Sequence, residues 1–266
     1  MNINHKIDDR KGLRYGRIMG IKVSSIHLTE VLARVEDFIP DSSELGRRSV
    51  RFYLLTPNPE IILMAQKNEK LKNAINGTVL AIPDGVGLKL AIPGLNVIKG
   101  RELFLELIKL AVRKNWKVFL LGGLGNESES AAKKLKTKYS NLKIQAFSGP
   151  KLNRDAEPST VEDEELQKEA IDKINKFAPQ LLFVAFGNPK QEIWVANYYS
   201  KLNIGGAMAV GGAFRYVAGL SGLPPKWMAG WSLEWLWRLL SEPKRIGRVI
   251  NAVIVFPIKL FLYKIS

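Results

Sequence analysis

At 266 residues, with 46% hydrophobic and 24% charged side chains, the chain is long enough to bury a full core, and its composition is not that of a disordered protein. It contains no cysteine and two histidines, which excludes disulfides, a cysteine nucleophile and thiolate metal sites, and leaves little for a zinc site or a Ser-His-Asp triad. Its formal net charge of +15 indicates an anionic partner, namely nucleic acid, acidic lipid or a phosphorylated substrate, against the alternative of a basic surface that serves solubility.

Short apolar or β-branched runs alternate with longer segments of helical period along most of the chain. Strands are predicted over residues 17–23, 50–55, 78–82, 117–121, 142–147, 180–186 and 206–210. Helices are predicted over residues 28–39, 60–76, 85–92, 101–114, 127–139, 161–177 and 190–202. Such alternation predicts an α/β fold with a doubly wound, mainly parallel, Rossmann-like sheet.

The two ends of the chain depart from this pattern. Residues 1–17 have no apolar stretch typical of a signal peptide and are predicted to be a frayed basic tail. Residues 18–221 are predicted to form the α/β core, and residues 222–266 a helical, basic C-terminal appendage.

Residues 222–266 combine seven Lys or Arg with two Glu, and hold Trp227, Trp231, Trp235 and Trp237. Tryptophan rings and basic side chains at helical spacing are typical of a membrane surface, where the rings lie at headgroup depth and the cations meet anionic lipid. Asn251, Pro257 and Lys259 interrupt the longest apolar stretch, so a membrane-spanning helix of about 18 residues is not expected. The appendage is therefore predicted to bind the membrane without crossing it.

Ligands of open α/β sheets bind beyond the carboxyl ends of the strands, so the strand-to-helix junctions are the places to look for a site. Asn58, followed by Pro59, is placed to cap a helix. Asn188 and Gln191 have the spacing of a capping box. Structural capping alone accounts for both junctions, and their role stays open at this point.

Two further junctions carry residues that are suited to catalysis or to phosphate binding. Asp84 follows a buried strand and precedes glycines, so it is either a helix cap or a general base that takes a proton from an attacking hydroxyl. Gly122 and Gly123 open a glycine loop ahead of a helix whose N–H groups can hold a diphosphate. This loop lacks the third glycine of a dinucleotide-binding fingerprint and a Walker lysine.

The segments TPNPE, IPDGVG, FGNPKQE, GGAF, PKWM and LEWLWRLLSEPKR occur in this order. Together they resemble the WecG/TagA/CpsF glycosyltransferases of bacterial cell-surface polymer synthesis, from about residue 20 to residue 248. The resemblance implies an inverting, metal-independent transferase that needs no cofactor. Such an enzyme moves a sugar, typically N-acetylmannosamine or its uronate, from UDP to an undecaprenyl-diphosphate-linked sugar at the inner face of the membrane.

The resemblance also implies roles for individual residues. Asp84 is similar to the family's catalytic base. The residues implied to bind substrate are Thr56, Asn58 and Gln191, which line the same pocket, and the C-terminal arginines Arg238, Arg245 and Arg248, which reach over it to the diphosphate. A basic helix face that only touches lipid is the alternative for these arginines.

The sequence departs from the family pattern at two places. Arg215 stands where many members have Asp in the segment GGAFDF, so the role of that Asp is lost or altered here. Members also tend to have an arginine shortly before the glycine that opens the next helix, where this chain offers Lys99 or Arg101.

The expected partners are a UDP-sugar donor, a polyprenyl-diphosphate-linked acceptor and an anionic membrane surface, which together imply a cytoplasmic protein held peripherally on the inner face of the membrane. A nucleic acid and a metal ion are not expected, and a homo-oligomer is left open. Three alternatives remain: a transferase of the same family with a glucose-type or other UDP-hexose donor in exopolysaccharide synthesis, a noncatalytic basic α/β module that binds nucleic acid, and a nicotinamide-dependent oxidoreductase.

Overall fold

The structure, a computed structural model, describes residues 6–8, 13–39, 51–222, 237 and 246–265. A small antiparallel sheet comes first in the chain and consists of β1 (Lys6–Asp8), β2 (Leu13–Ile18) and β3 (Ile21–Ser24). A parallel six-stranded sheet follows, built from β4 (Phe52–Leu55), β5 (Leu80–Ala81), β6 (Lys117–Gly122), β7 (Lys143–Phe147), β8 (Leu181–Ala185) and β9 (Gly206–Ala209). Its strands lie in the order β5-β4-β9-β8-β6-β7, which confirms the predicted α/β class with a parallel sheet.

Helices cover both faces of the parallel sheet. In chain order they are α1 (Leu28–Phe38), α2 (Pro59–Ala65), α3 (Glu69–Gly77), α4 (Gly100–Arg113), α5 (Glu127–Lys138), α6 (Val161–Phe177), α7 (Lys190–Tyr198), α8 (Ala213–Val217), α9 (Ile246–Ile250) and α10 (Phe256–Ile265). A 3-10 turn spans Val86–Leu90, between β5 and α4. One face of the sheet contacts α1, α4, α5 and α8, and the other contacts α2, α3, α6, α7, α10 and the small sheet.

The central strands show why both faces must be covered. Every residue of β8, the run Leu-Leu-Phe-Val-Ala, is buried. Leu182 and Val184 contribute to one apolar cluster, and Leu181, Phe183 and Ala185 to the cluster on the opposite face. An unbroken apolar run is what a parallel strand buried on both faces requires.

Three predicted elements differ from the structure, and the first is the helix predicted over residues 85–92, which is only the 3-10 turn Val86–Leu90. The strand predicted over residues 17–23 is a hairpin, because Met19 and Gly20 both adopt positive φ and turn the chain between β2 and β3. The helix predicted over residues 60–76 is two helices, since the Asn68 side chain accepts a hydrogen bond from Leu71 N and starts α3 anew. β1 and most of β2 also lie within the segment 1–17 that was predicted as a tail.

The C-terminal helix runs without interruption through α9, a π-helical turn at Asn251–Val255, and α10. It spans 20 residues, Ile246–Ile265, and is long and apolar enough to cross a membrane by length and composition. The prediction that Asn251, Pro257 and Lys259 would interrupt it is wrong. The π turn ends at Val255, two residues before Pro257, and the helix continues past the proline, which has no backbone N–H to donate.

Candidate active site

The loops that follow β4 and β5 are joined at the carboxyl edge of the sheet. Asp84 N donates to Pro57 O at 2.9 Å, which extends the pairing of the two strands beyond their ends. Thr56 and Asn58 therefore lie on one side of this junction and Asp84 on the other.

The carboxylate of Asp84 lies against the first residue of α4. A methyl group built onto Gly100 would be 3.3 Å from Asp84 Oδ2 and 3.0 Å from Thr56 Oγ1, so glycine allows both oxygens to approach the helix. Asp84 is half-buried. The helix N-terminus favours a negative charge at this position, and a charged carboxylate can accept a proton. The position of this carboxylate beside the start of α4 is compatible with the predicted role as a base.

Asn58 caps α2, as its sequence context predicts. Its Oδ1 accepts a hydrogen bond from Ile61 N at 2.9 Å, and Pro59 occupies the first helical position. The cap commits the side-chain oxygen, which leaves the Nδ2 amide as the group that can donate to a ligand.

Gln191 ties the loop after β8 to the loop after β9. Its Oε1 accepts from Gly187 N and Gly211 N, both at 3.2 Å, and its Nε2 donates to Asn188 Oδ1 and Glu192 Oε1, both at 2.8 Å. The side chain is 3% exposed. A capping box was predicted between Asn188 and Gln191. Gln191 Oε1 instead binds the backbone amide of Gly187, and the side chain holds the two loops together.

The glycine loop after β6 packs tightly on β8. Gly123 N donates to Ala185 O at 2.8 Å, and a methyl group on Gly122 would be 2.9 Å from the Ala185 carbonyl. Leu124 N donates to Glu127 Oε2 at 3.1 Å, so the protein's own carboxylate lies at the N-terminus of α5, the position predicted for a diphosphate. Close packing accounts for Gly122 and Gly123, and their role in substrate binding stays a prediction.

Arg215 and Arg101 have definite contacts at this edge of the sheet. Arg215 Nη1 lies 3.8 Å from Glu127 Oε1, so it is a counter-ion for the carboxylate at the start of α5. The Arg101 guanidinium lies 4.8 Å from the centre of the Tyr216 ring and joins the start of α4 to α8. Lys99 pairs with Glu102 at 3.5 Å.

Arg248 reaches this region from the C-terminal helix. Its Nε donates to Glu60 Oε1 at 2.7 Å, and Glu60 is two residues beyond Asn58 in the first turn of α2. The predicted partners Arg238 and Arg245 lie outside the described residues. The structure thus brings Arg248 beside the loop that carries Thr56 and Asn58.

Glu192 is a site residue that sequence analysis missed, although it directly follows Gln191. It is 3% exposed, and its Oε2 has no hydrogen-bond partner among the residues that the structure describes. Burial raises the pKa of Glu192 from 4.5 to about 7, against the hydrogen bond from Gln191 and the charge of Arg248, which lower it. A carboxylate in the first turn after a fully apolar strand was the signal that could have revealed it.

The raised pKa of Glu192 makes stability depend on pH. Because the folded protein holds the proton more tightly than the unfolded chain, this stabilisation is complete below about pH 4.5 and is lost as the pH rises through about 7. We expect Glu192→Gln to unfold like wild type near pH 5 and to be more stable by up to about 3 kcal/mol near pH 8. Chemical denaturation of both proteins across this range measures the difference, and a difference that does not change with pH contradicts the expectation.

Exposed apolar side chains gather next to this site. In the described part of the chain the C-terminal helix exposes Ile246, Ile250, Val253, Ile254, Ile258, Phe261, Leu262, Tyr263 and Ile265. Val86 and Leu90, in the 3-10 turn that follows Asp84, are also exposed, and Lys264 Nζ donates to Leu90 O at 3.5 Å. The helix and the turn therefore share an apolar surface that borders the Asp84 loop.

Comparison with known proteins identifies the relatives of this chain. A sequence model of the Glycosyl transferase WecG/TagA/CpsF family matches residues 16–266. Proteins of Staphylococcus aureus strains MRSA252, MW2 and NCTC 8325 are each 28% identical over 265 residues, which covers 98% of this chain and 95% of theirs. Each of them is named N-acetylglucosaminyldiphosphoundecaprenol N-acetyl-beta-D-mannosaminyltransferase.

Proposed function

Because the chain belongs to the WecG/TagA/CpsF family of glycosyltransferases, we propose that it moves N-acetylmannosamine, or its uronate, from a UDP-sugar to an undecaprenyl-diphosphate-linked sugar, with inversion at the transferred carbon. The names of the Staphylococcus aureus relatives support the acceptor and the sugar. The observation that carries the proposal is the meeting of Asp84, Asn58 and Arg248 at one edge of the sheet, where a base and a cation are both needed.

Asp84 acts as the base in this proposal. As the acceptor hydroxyl oxygen bonds to C1 of the donor sugar, its proton passes to Asp84, and the bond between C1 and the UDP oxygen breaks on the opposite side. Attack from that side inverts the configuration at C1. Thr56 Oγ1, next to Asp84 Oδ2 at the start of α4, is placed to orient the acceptor hydroxyl.

Arg248 offsets charge on a diphosphate, together with the N-termini of the helices at this edge. A guanidinium suits this role because its planar donors pair with two phosphate oxygens at once. Arg238 and Arg245 are proposed to act with it, and the mechanism uses no metal ion. Gly122, Gly123 and Gln191 shape the loops around the donor.

The membrane brings the lipid acceptor to this site. The exposed apolar side chains of the C-terminal helix, Val86 and Leu90 form the contact with lipid, and the net charge of +15 favours an anionic leaflet. We place the protein on the cytoplasmic face of the membrane, with residues 222–266 as a functional unit that completes the core. The family assignment removes the alternatives of a noncatalytic nucleic-acid module and an oxidoreductase.

A donor panel tests the proposed reaction. The full chain is incubated with vesicles that contain undecaprenyl-diphosphate-N-acetylglucosamine and, in turn, with the UDP derivatives of N-acetylmannosamine, its uronate, glucose and N-acetylglucosamine. We expect UDP release and a labelled lipid product with the first or second donor. Product with the glucose donor alone would favour the alternative of exopolysaccharide synthesis, and the absence of lipid product from every donor contradicts the proposal.

A further inference from the structure

The C-terminal helix is attached to the core by charged and apolar contacts. Phe256 and Leu260 are buried in the apolar cluster that contains α2 and α7, one helical turn apart on the same side of α10. Arg248, two turns earlier, donates to Glu60 at 2.7 Å. The apolar contacts hold the helix, and the charged contact sets where its first turn lies relative to the site.

Two carboxylates lie at the starts of neighbouring helices on this side of the sheet, and Arg248 contacts one of them, Glu60. Glu60 and Glu192 occupy the first turns of α2 and α7, which follow strands β4 and β8 on either side of β9. Burial is the main cause of the raised pKa of Glu192; among the described charged side chains, Arg248 lowers this pKa and Glu60 raises it. The three groups therefore form one electrostatic cluster.

The carboxylate of Glu192 is costly at this position. A helix N-terminus favours a negative charge, but Glu192 is 3% exposed and one of its oxygens has no partner among the described residues. A glutamine would fill the same space and could still accept the hydrogen bond from Gln191 Nε2 without a buried charge. The action of its charge on Arg248 gives this carboxylate a role that a glutamine could not fill.

We propose that Glu60 and Glu192 are a carboxylate pair that docks the C-terminal helix through Arg248, with Glu192 as a positioning residue for the arginine. Glu60 binds the guanidinium directly, and Glu192 adds a second negative charge behind it. One part of this inference rests on the proposed function, namely that the docked Arg248 is in position to bind a diphosphate. The docking itself requires no substrate.

Docking of the C-terminal helix should become stronger as the pH rises, whereas the global stability that Glu192 contributes falls. The pKa of Glu192 is raised to about 7, so its negative charge forms as the pH rises through neutrality. Each increment of charge strengthens the attraction for Arg248, while Glu60 remains the direct partner. The first turn of the C-terminal helix should therefore dock more tightly above about pH 7 than below it.

A spin label on the helix tests this. The chain has no cysteine, so Ile254→Cys, at a position 54% exposed, accepts a single nitroxide in the full-length protein. The docked fraction in neutral detergent is measured from the label's mobility between about pH 5.5 and 8.5. We expect this fraction to rise with pH in the otherwise wild-type protein and to lose its pH dependence in Glu192→Gln. In Glu60→Gln we expect the ratio of docked to free helix to fall about fivefold at all pH values.

Glu169→Gln is the matched control, since Glu169 pairs with Lys173 at 2.7 Å on an exposed face of α6 and should leave the label unaffected. Docking that keeps its pH dependence in Glu192→Gln, or that is unchanged in Glu60→Gln, overturns the proposal. Because the readout involves no sugar transfer, a failure here is distinct from a failure of the proposed reaction.

Discussion

Asp84→Asn should reduce the rate of sugar transfer by about 10²- to 10⁴-fold while leaving the protein folded. An amide cannot take the proton of the acceptor hydroxyl, so the chemical step loses its base. Asparagine has nearly the size and shape of aspartate, so it should occupy the same place beside Gly100 at the start of α4. The substitution therefore separates the catalytic role of Asp84 from its structural one.

Initial rates of lipid product formation, measured at saturating donor, check this expectation. Asp155→Asn is the matched control, because Asp155 lies in an exposed ion pair with Lys70 at 3.0 Å, and it should keep wild-type rates. The thermal unfolding midpoint of Asp84→Asn should stay close to that of wild type. A variant that transfers sugar as fast as wild type shows that Asp84 is not the base.

Removal of residues 223–266 should abolish transfer and leave a folded core. The six strands of the parallel sheet lie between Phe52 and Ala209, so the deletion removes none of them. It does remove Phe256 and Leu260 from the core, each of which contributes roughly 1.5–3 kcal/mol by burial. The truncated protein should therefore unfold cooperatively at a lower temperature, as followed by circular dichroism.

Phe256→Asp tests, without removing any part of the chain, whether the C-terminal helix must lie on the core for activity. The substitution keeps every arginine of the C-terminal segment but opposes insertion of the helix into the apolar cluster. Activity should fall along with docking. If Phe256→Asp releases the helix and activity is retained, the helix need not lie on the core for catalysis.

The sequence was sufficient for the fold class, because the physical causes of the fold are local. Buried parallel strands such as Leu181–Ala185 leave an apolar run between glycines or polar turns. The helix Val161–Phe177 was predicted with the bounds that it has, and Thr160 caps it by accepting from Asp163 N. The cap at Asn58 and the general position of the site followed from the same kind of signal.

The parts that could not be predicted depend on contacts between distant residues. Arg248 and Glu60 are separated by 188 positions, and nothing in either segment specifies the other as its partner. The burial of Glu192 likewise follows from strand order, which brings the loops after β8 and β9 together around Gln191. The continuous C-terminal helix was missed because Asn251, Pro257 and Lys259 were expected to interrupt it, whereas the backbone continues past them through a π turn.

The rate of transfer to a short-chain, water-soluble prenyl-diphosphate-sugar acceptor tests most directly whether the Asp84 loop and the C-terminal arginines form a single catalytic centre. The chain that ends at Gly222 and the full chain are compared without any membrane. If the C-terminal segment supplies part of the centre, the truncated chain is inactive on this soluble acceptor as well as on vesicles. Transfer by the truncated chain at the full-length rate would mean that the segment only anchors the enzyme, and would contradict this account.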